Sequence, residues 1–282
     1  MPSDTDELNT IVHHTALEVR PNGAGPVEVA VPVERPLTIE VNGRPVATLM
    51  SLPGLERELA VGFCLSEGLV ASFADILVAH YCQEEEFLQP PEREGAVVRL
   101  QARPEGVRGE GQGLRRVLSG CGSVEVNLES LDLAALPLEE EPWLQPAAIW
   151  EMAAQLRALP GVYRRTGAVH GAGLYAADGT PLVQAEDLGR HNALDKVLGA
   201  ALVRGLLPAR CVALTTGRAS HEMVAKALRL GVPVVGSLSA PTSLAVELAE
   251  RGRCTLLGRV RRQSFLVYAG TERLEGGGGR LR

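Results

Sequence analysis

Three stretches of this sequence hold residue types that can do chemistry. The first is Ser119-Gly120-Cys121-Gly122-Ser123. A cysteine between two glycines has little bulk beside it, so a large ligand or another macromolecule can approach the sulfur. The glycines also let backbone N–H groups converge on a thiolate. Arg115 and Arg116 lie just upstream and would favour the thiolate, which is the nucleophilic form. On spacing alone Cys121 reads equally as a nucleophile and as an incidental residue of a glycine-rich turn.

The second stretch runs from Glu186 to Lys196. Asn192 is a good helix N-cap, and Asp195 three positions on suits the positive end of a helix dipole. Leu194, Val197, Leu198, Ala201 and Leu202 form the buried face that follows. Glu186, Asp187, Arg190 and His191 precede the cap. They exceed what capping needs and favour a site over a structural network. The third stretch is a pair of similar turns. Thr216, Gly217, Arg218 and Ser220 follow one strand and open a helix; Ser237, Ser239 and Thr242 follow the next strand and open another. In open α/β sheets ligands bind beyond the carboxyl ends of the strands, where helix N-termini favour phosphate. Two such turns in succession point to a phosphate-bearing ligand, with Arg218 as a charge clamp.

Elements must place these residues. The chain has 282 residues, room for one large domain or two modest ones. Its 45% apolar and 22% charged residues are ordinary for a globular protein. A net charge of −6 argues against a nucleic-acid binder. No apolar run is long enough for a transmembrane helix, and the polar, acidic residues 1–10 do not read as a signal peptide, so the expected address is cytoplasmic. Five scattered cysteines fit neither a disulfide framework nor a zinc site. Cys64, Cys211 and Cys254 read as small buried hydrophobes. Of 28 basic residues only Lys196 and Lys226 are lysines, each inside a dense polar motif.

Residues 1–34 read as an extended lead-in. Alternation over Leu37, Ile39 and Val41, then Asn42-Gly43, predicts a hairpin. Leu55, Leu59, Ala60 and Phe63 predict a helix. A smaller α+β domain covers 35–128, ending in the Cys121 loop. An acidic linker covers 129–145, and Pro146 opens a helix. Strand-like and helical runs then alternate over 146–271, the pattern of an α/β layer fold with a mostly parallel central part. The tail, 272–282, reads as disordered. There is no P-loop, no dinucleotide fingerprint and no zinc-deaminase signature.

The runs Glu186–Lys196, Thr216-Gly217-Arg218 with Ser220 and Glu222-Met223, and Ser239-Ala240-Pro241-Thr242 resemble the formate dehydrogenase accessory sulfurtransferases of the FdhD/NarQ family. So do Glu40–Gly43, Leu59–Glu67 and His170-Gly171-Ala172, and the likeness spans about residues 30 to 270. It implies a cytidine deaminase-like three-layer α/β domain without zinc, plus the smaller domain, and a homodimer. It implies a persulfide on Cys121, taken from a cysteine desulfurase. That sulfur would pass to the molybdenum or tungsten of bis-molybdopterin guanine dinucleotide, the cofactor of formate dehydrogenase. No resident metal is expected. The turns holding Thr216, Gly217, Arg218 and Ser220, and Ser237, Ser239 and Thr242, would cradle its phosphates. The family's cofactor-binding segment falls on Arg259, Val260, Arg261, Arg262, Gln263 and Ser264, with the basic residues displaced from the family pattern. His191 and Lys196 are assigned as proton or charge managers. Many members carry Cys-x-x-Cys at the first stretch; here the second position is Val124, so relays through two cysteines are excluded. One thiolate suffices to carry one sulfane sulfur. Two other readings stand beside this one: a non-catalytic cofactor chaperone, and a nucleotide-binding regulator without sulfur chemistry.

Overall fold

A computed structural model describes residues 10–83, 95–108, 115–117 and 141–276 of the chain. Cys121, the rest of its loop and most of the acidic linker lie outside the described residues. Two larger sheets carry the architecture. In the first, β3 (Arg35–Val41) and β4 (Arg44–Ser51) form the expected hairpin. Asn42 and Gly43 both adopt positive φ, 50° and 76°, as a two-residue turn matched to strand twist requires. Helix α1 (Glu56–Ser66) covers one face. Its Leu59, Ala60 and Phe63 pack on Leu37, Ile39, Leu49, Val98 and Leu100. Strands β5 (Ile76–Gln83), β6 (Ala96–Ala102) and β7 (Arg115–Val117) complete the order β5-β6-β3-β4-β7. Strand β7 runs parallel to β4, with Ala47 opposite Arg115 and Leu49 opposite Val117. Strand β5 carries no alternation in the sequence, because on this sheet edge Leu77 and Val78 are both exposed.

The second sheet contains β8 (His170–Tyr175), β9 (Pro181–Asp187), β10 (Val212–Thr215), β11 (Val234–Ser237), β12 (Thr255–Gly258) and β13 (Leu266–Ala269). Their order is β13-β12-β11-β10-β8-β9. Only β10, β11 and β12 are mutually parallel; β8, β9 and β13 run against their neighbours. Helix α2 (Pro146–Arg157) packs on one face through Ile149, Met152 and Leu156. The short α3 (Val162–Thr166) follows it. Helices α4 (Arg190–Val203), α5 (His221–Arg229) and α6 (Ser243–Arg251) pack on the other face. The fold is therefore mixed α/β, with helices on both faces of this sheet.

Three expectations are corrected. Within the supposed lead-in, residues 11–32 form a hairpin of β1 (Ile11–Arg20) and β2 (Gly23–Pro32), turning at Pro21-Asn22. Its Leu17 and Val19 remain 68% and 73% exposed, so no buried face imprints a period on the sequence. In the supposed disordered tail, Arg273 and Leu274 are buried. The Arg273 carbonyl accepts from the Trp143 and Leu144 amides, 3.1 and 2.9 Å. Residues 277–282 lie outside the described residues. Finally, the cap of α4 lies three residues earlier than expected. Gly189 is its N-cap and Asn192 lies inside its first turn, buried. Asp195 is buried rather than placed at the helix end.

The two large units meet where α1 crosses α4. A Cβ on Gly199 would sit 1.9 Å from the Glu58 carbonyl oxygen, and one on Gly62 would sit 2.0 Å from the Asp195 carbonyl oxygen. Only glycine lets these backbones touch.

Candidate functional site

The parallel strands β10, β11 and β12 bring three loops to one sheet edge, as their shared direction dictates. The Leu238 amide donates to the Thr215 carbonyl at 2.9 Å, and the Arg259 and Val260 amides donate to the Ser239 and Ser237 carbonyls at 2.5 and 3.1 Å. The sequence-predicted residues Thr216, Gly217, Arg218, Ser220, Ser237, Ser239, Thr242 and Arg259–Ser264 are thus neighbours in space. They do not all face outward. Ser237 is fully buried. Its Oγ donates to the Gly217 carbonyl (2.5 Å) and accepts from the Ser239 amide (2.9 Å), so it ties two loops together. Thr242 Oγ1 accepts from the Ala245 amide, 3.4 Å, as the N-cap of α6. Val260 is a core residue whose carbonyl accepts from Arg157. The exposed charge comes from Arg218, Arg259, Arg261 and Arg262, with Gln263 and Ser264 also exposed. Four exposed guanidinium groups around these loops suit a polyanionic ligand.

Beside these loops, His170 opens β8 and pairs with Asp187 at the end of β9. Because β8 and β9 run antiparallel, both residues reach the same edge. Thr216 Oγ1 accepts from the Gly171 amide at 3.0 Å and lies 3.5 Å from His170 Nδ1. Burial, then the nearby Arg190 and His191, holds His170 below the usual histidine range. His191 Nε2 lies 3.0 Å from Glu222 Oε2. That hydrogen bond, outweighing partial burial, holds Glu222 below the usual carboxylate range. Ser220 Oγ lies 3.5 Å from the same His191 Nε2 and the same distance from Glu222 Oε2. The N–H that serves Glu222 cannot also accept a proton from Ser220. This trio therefore lacks the geometry of an activated serine, in which base and orienting carboxylate use different ring nitrogens.

The run 186–196 divides between edge and interior. Glu186 accepts from the Val162 and Tyr163 amides at 2.6 and 3.2 Å, while burial raises its carboxyl above the usual range. Lys196 corrects its sequence assignment. It is 1% exposed, and its Nζ is held by Asp187 Oδ2 (2.7 Å) and by the carbonyls of Leu52 (2.7 Å) and Glu186 (3.3 Å). It does not face the loops. The other lysine, Lys226, is buried against Glu67, Asp195 and Ser66 at 2.6, 2.8 and 2.9 Å. Burial opposes its charge, but Asp195 and Glu67 outweigh that and raise its pKa; burial also raises Asp195. Cys64, Cys211 and Cys254 are buried as expected, and burial raises each thiol, Cys254 to about 12. They are not nucleophiles. Among the described residues no three His, Cys, Asp or Glu side chains are grouped to hold a metal. Nor is any helix long and apolar enough to cross a membrane. The sequence held no signal for the roles of Met50 and Leu52, since their backbone groups make the contacts.

The family model of the FdhD/NarQ family matches residues 32–275. A protein named "Sulfur carrier protein FdhD" from Nocardia farcinica is 39% identical over 249 residues, covering 86% of this chain and 87% of that protein. Its namesake from Anaeromyxobacter dehalogenans is 41% identical over 265 residues, covering 89% and 90%. A crystal structure from Desulfotalea psychrophila, of a protein described as a formate dehydrogenase accessory protein, superposes with a TM-score of 0.74 at 27% identity, covering 94% of this chain and all of that one. With matching spanning both sheets and every loop of the edge, the chain belongs to the FdhD/NarQ family.

Proposed function

We propose that this protein is a cytoplasmic sulfur carrier in formate dehydrogenase maturation, with Cys121 as its persulfide-carrying residue. The observation that carries this reading is family membership across both sheets, in a chain that keeps a cysteine between Gly120 and Gly122. The Cys121 thiolate attacks the terminal sulfur of a cysteine desulfurase persulfide. The S–S bond to the desulfurase breaks, its cysteine leaves as thiolate, and Cys121 holds the sulfane sulfur. No net oxidation occurs in this step. The acceptor is bis-molybdopterin guanine dinucleotide, a substrate here. Its phosphates fit the exposed rim of Arg218, Arg259, Arg261 and Arg262. When sulfur passes on, the Cys121 S–S bond breaks, Cys121 leaves as thiolate, and the reduced metal supplies the two electrons that convert sulfane sulfur to sulfide. His170, which burial holds below the usual histidine range, and His191, hydrogen-bonded to Glu222, flank this edge. The homodimer and the cytidine deaminase-like ancestry of the larger sheet belong to the same reading.

The test is incubation with a cysteine desulfurase and cysteine, followed by intact mass before and after reduction. Wild type gains one reducible sulfur atom; Cys121→Ala gains none. Equal gain in both, or none in either, overturns the assignment and leaves ligand binding as the function.

A further inference from the structure

The run 186–196 builds a grip on the end of β4. Asp187 is fully buried and uses both carboxylate oxygens. Oδ2 accepts from the Leu52 amide (3.2 Å) and Lys196 (2.7 Å), and Oδ1 accepts from Asn192 Nδ2 (3.0 Å) and the Gly189 amide (3.3 Å). Lys196 Nζ donates to the Leu52 carbonyl at 2.7 Å, and Asn192 Nδ2 donates to the Met50 carbonyl at 2.9 Å. Three side chains of the β9–α4 junction thus hold the N–H and C=O of Leu52 and the C=O of Met50.

We propose that Asp187, Asn192 and Lys196 are positioning residues for sulfur delivery: they set the end of β4, and β7 paired to it, in fixed register against the ligand-binding edge. The inference rests on the sulfur-carrier reading and adds which residues align its two halves. Two of the three gripping residues adjoin the edge. Asn192 follows His191, Asp187 follows Glu186, and Asp187 pairs with His170. The gripped segment in turn sets β7, because Leu49 opposes Val117 in a parallel pair whose carboxyl end lies toward Leu52. Val117 precedes Cys121 by four residues. Net stability is a weak reason for the arrangement, although breaking the pair would be destabilising. A buried ion pair with its hydrogen bonds adds little over apolar residues of the same volume, whereas its geometry is directional. The second lysine supplies the contrast. Lys226 binds Ser66 and Glu67 at the end of α1 and Asp195 of α4, and none of its contacts reaches β4.

The test compares Lys196→Met, Asp187→Asn and Asn192→Ala with Lys226→Met, all in the full-length chain. Loading from a cysteine desulfurase is read by intact mass. Delivery is read as the rate at which radiolabelled sulfur leaves the protein for bis-molybdopterin guanine dinucleotide, per folded molecule. The grip variants load as wild type does, since loading needs only an accessible thiol. At saturating acceptor their delivery falls on the order of 100-fold for Lys196→Met and Asp187→Asn, the penalty of about 1 Å of misplacement. Asn192→Ala, which keeps the Asp187–Lys196 pair and its hold on Leu52, falls less, and the acceptor KM is unchanged in all three. Lys226→Met melts earlier yet delivers normally. If Lys196→Met or Asp187→Asn fails to fold, Asn192→Ala decides. Normal delivery by the folded grip variants, or a fall in Lys226→Met matching theirs, overturns the inference. A wild type that never loads overturns the carrier reading itself and this inference with it.

Discussion

His170 links the edge to pH. Its ordinary value is 6.5, and burial together with Arg190 and His191 lowers it in the fold. As pH falls, the unfolded chain takes up this proton before the folded one does. The full stability is therefore present above about 6.5 and declines as pH drops toward the lowered value. His170→Gln should flatten that decline, seen as a urea midpoint that no longer drifts over this window. Glu222, also lowered, acts in a separate window: its contribution is present above the ordinary 4.5 and is lost as pH falls through its folded value. A decline in His170→Gln equal to wild type above pH 4.5 would contradict the assignment. At this scale the sequence was partly legible. Glycine-flanked Cys121 and the hydroxyl-rich turns stand out by composition alone. That Lys196 and Asn192 face inward does not, because each also bonds a backbone carbonyl more than 100 residues away in sequence, that of Leu52 and of Met50.

At the scale of elements, the crossing of α1 and α4 sets two rules against each other. Helix propensity favours Ala over Gly by about 1 kcal/mol. A Cβ at position 199 would sit 1.9 Å from the Glu58 carbonyl oxygen, and such overpacking costs about 3 kcal/mol or more. Packing wins, so Gly199→Ala should lower stability by about 2 kcal/mol or more in urea titrations. A stabilised variant would show that the helices do not cross at these glycines. Elements with a buried face were readable: the Asn42-Gly43 hairpin, α1, α2 and the alternation from β8 to β13 all follow the patterns expected. Those without one were not. The β1–β2 hairpin leaves Leu17 and Val19 exposed and β5 leaves Leu77 and Val78 exposed, and hydrophobic period reports burial, not pairing.

Across the whole molecule, two buried lysines join the units. Lys226 spans α1, α4 and α5, and Asp195 and Glu67 share its charge. Lys226→Met strands two buried carboxylates and should cost about 3–5 kcal/mol. The loss should shrink as pH falls, because burial already raises Asp195 and removing the cation raises it further. With both networks intact, the two sheets should unfold in one calorimetric transition whose van't Hoff and calorimetric enthalpies agree; two separated transitions would contradict rigid joining. The sequence marked both lysines by their rarity, but only the fold shows that Lys196 holds the end of β4 while Lys226 joins α1, α4 and α5. The most direct measurement of the central claim is a single-turnover chase. Wild-type protein carrying radiolabelled sulfur on Cys121 is mixed with bis-molybdopterin guanine dinucleotide and apo-formate dehydrogenase. The account predicts that label leaves the protein, appears in the cofactor, and tracks the rise of formate dehydrogenase activity, with no rise for Cys121→Ala. Activity that rises while the label stays on the protein, or that rises equally with Cys121→Ala, would contradict it.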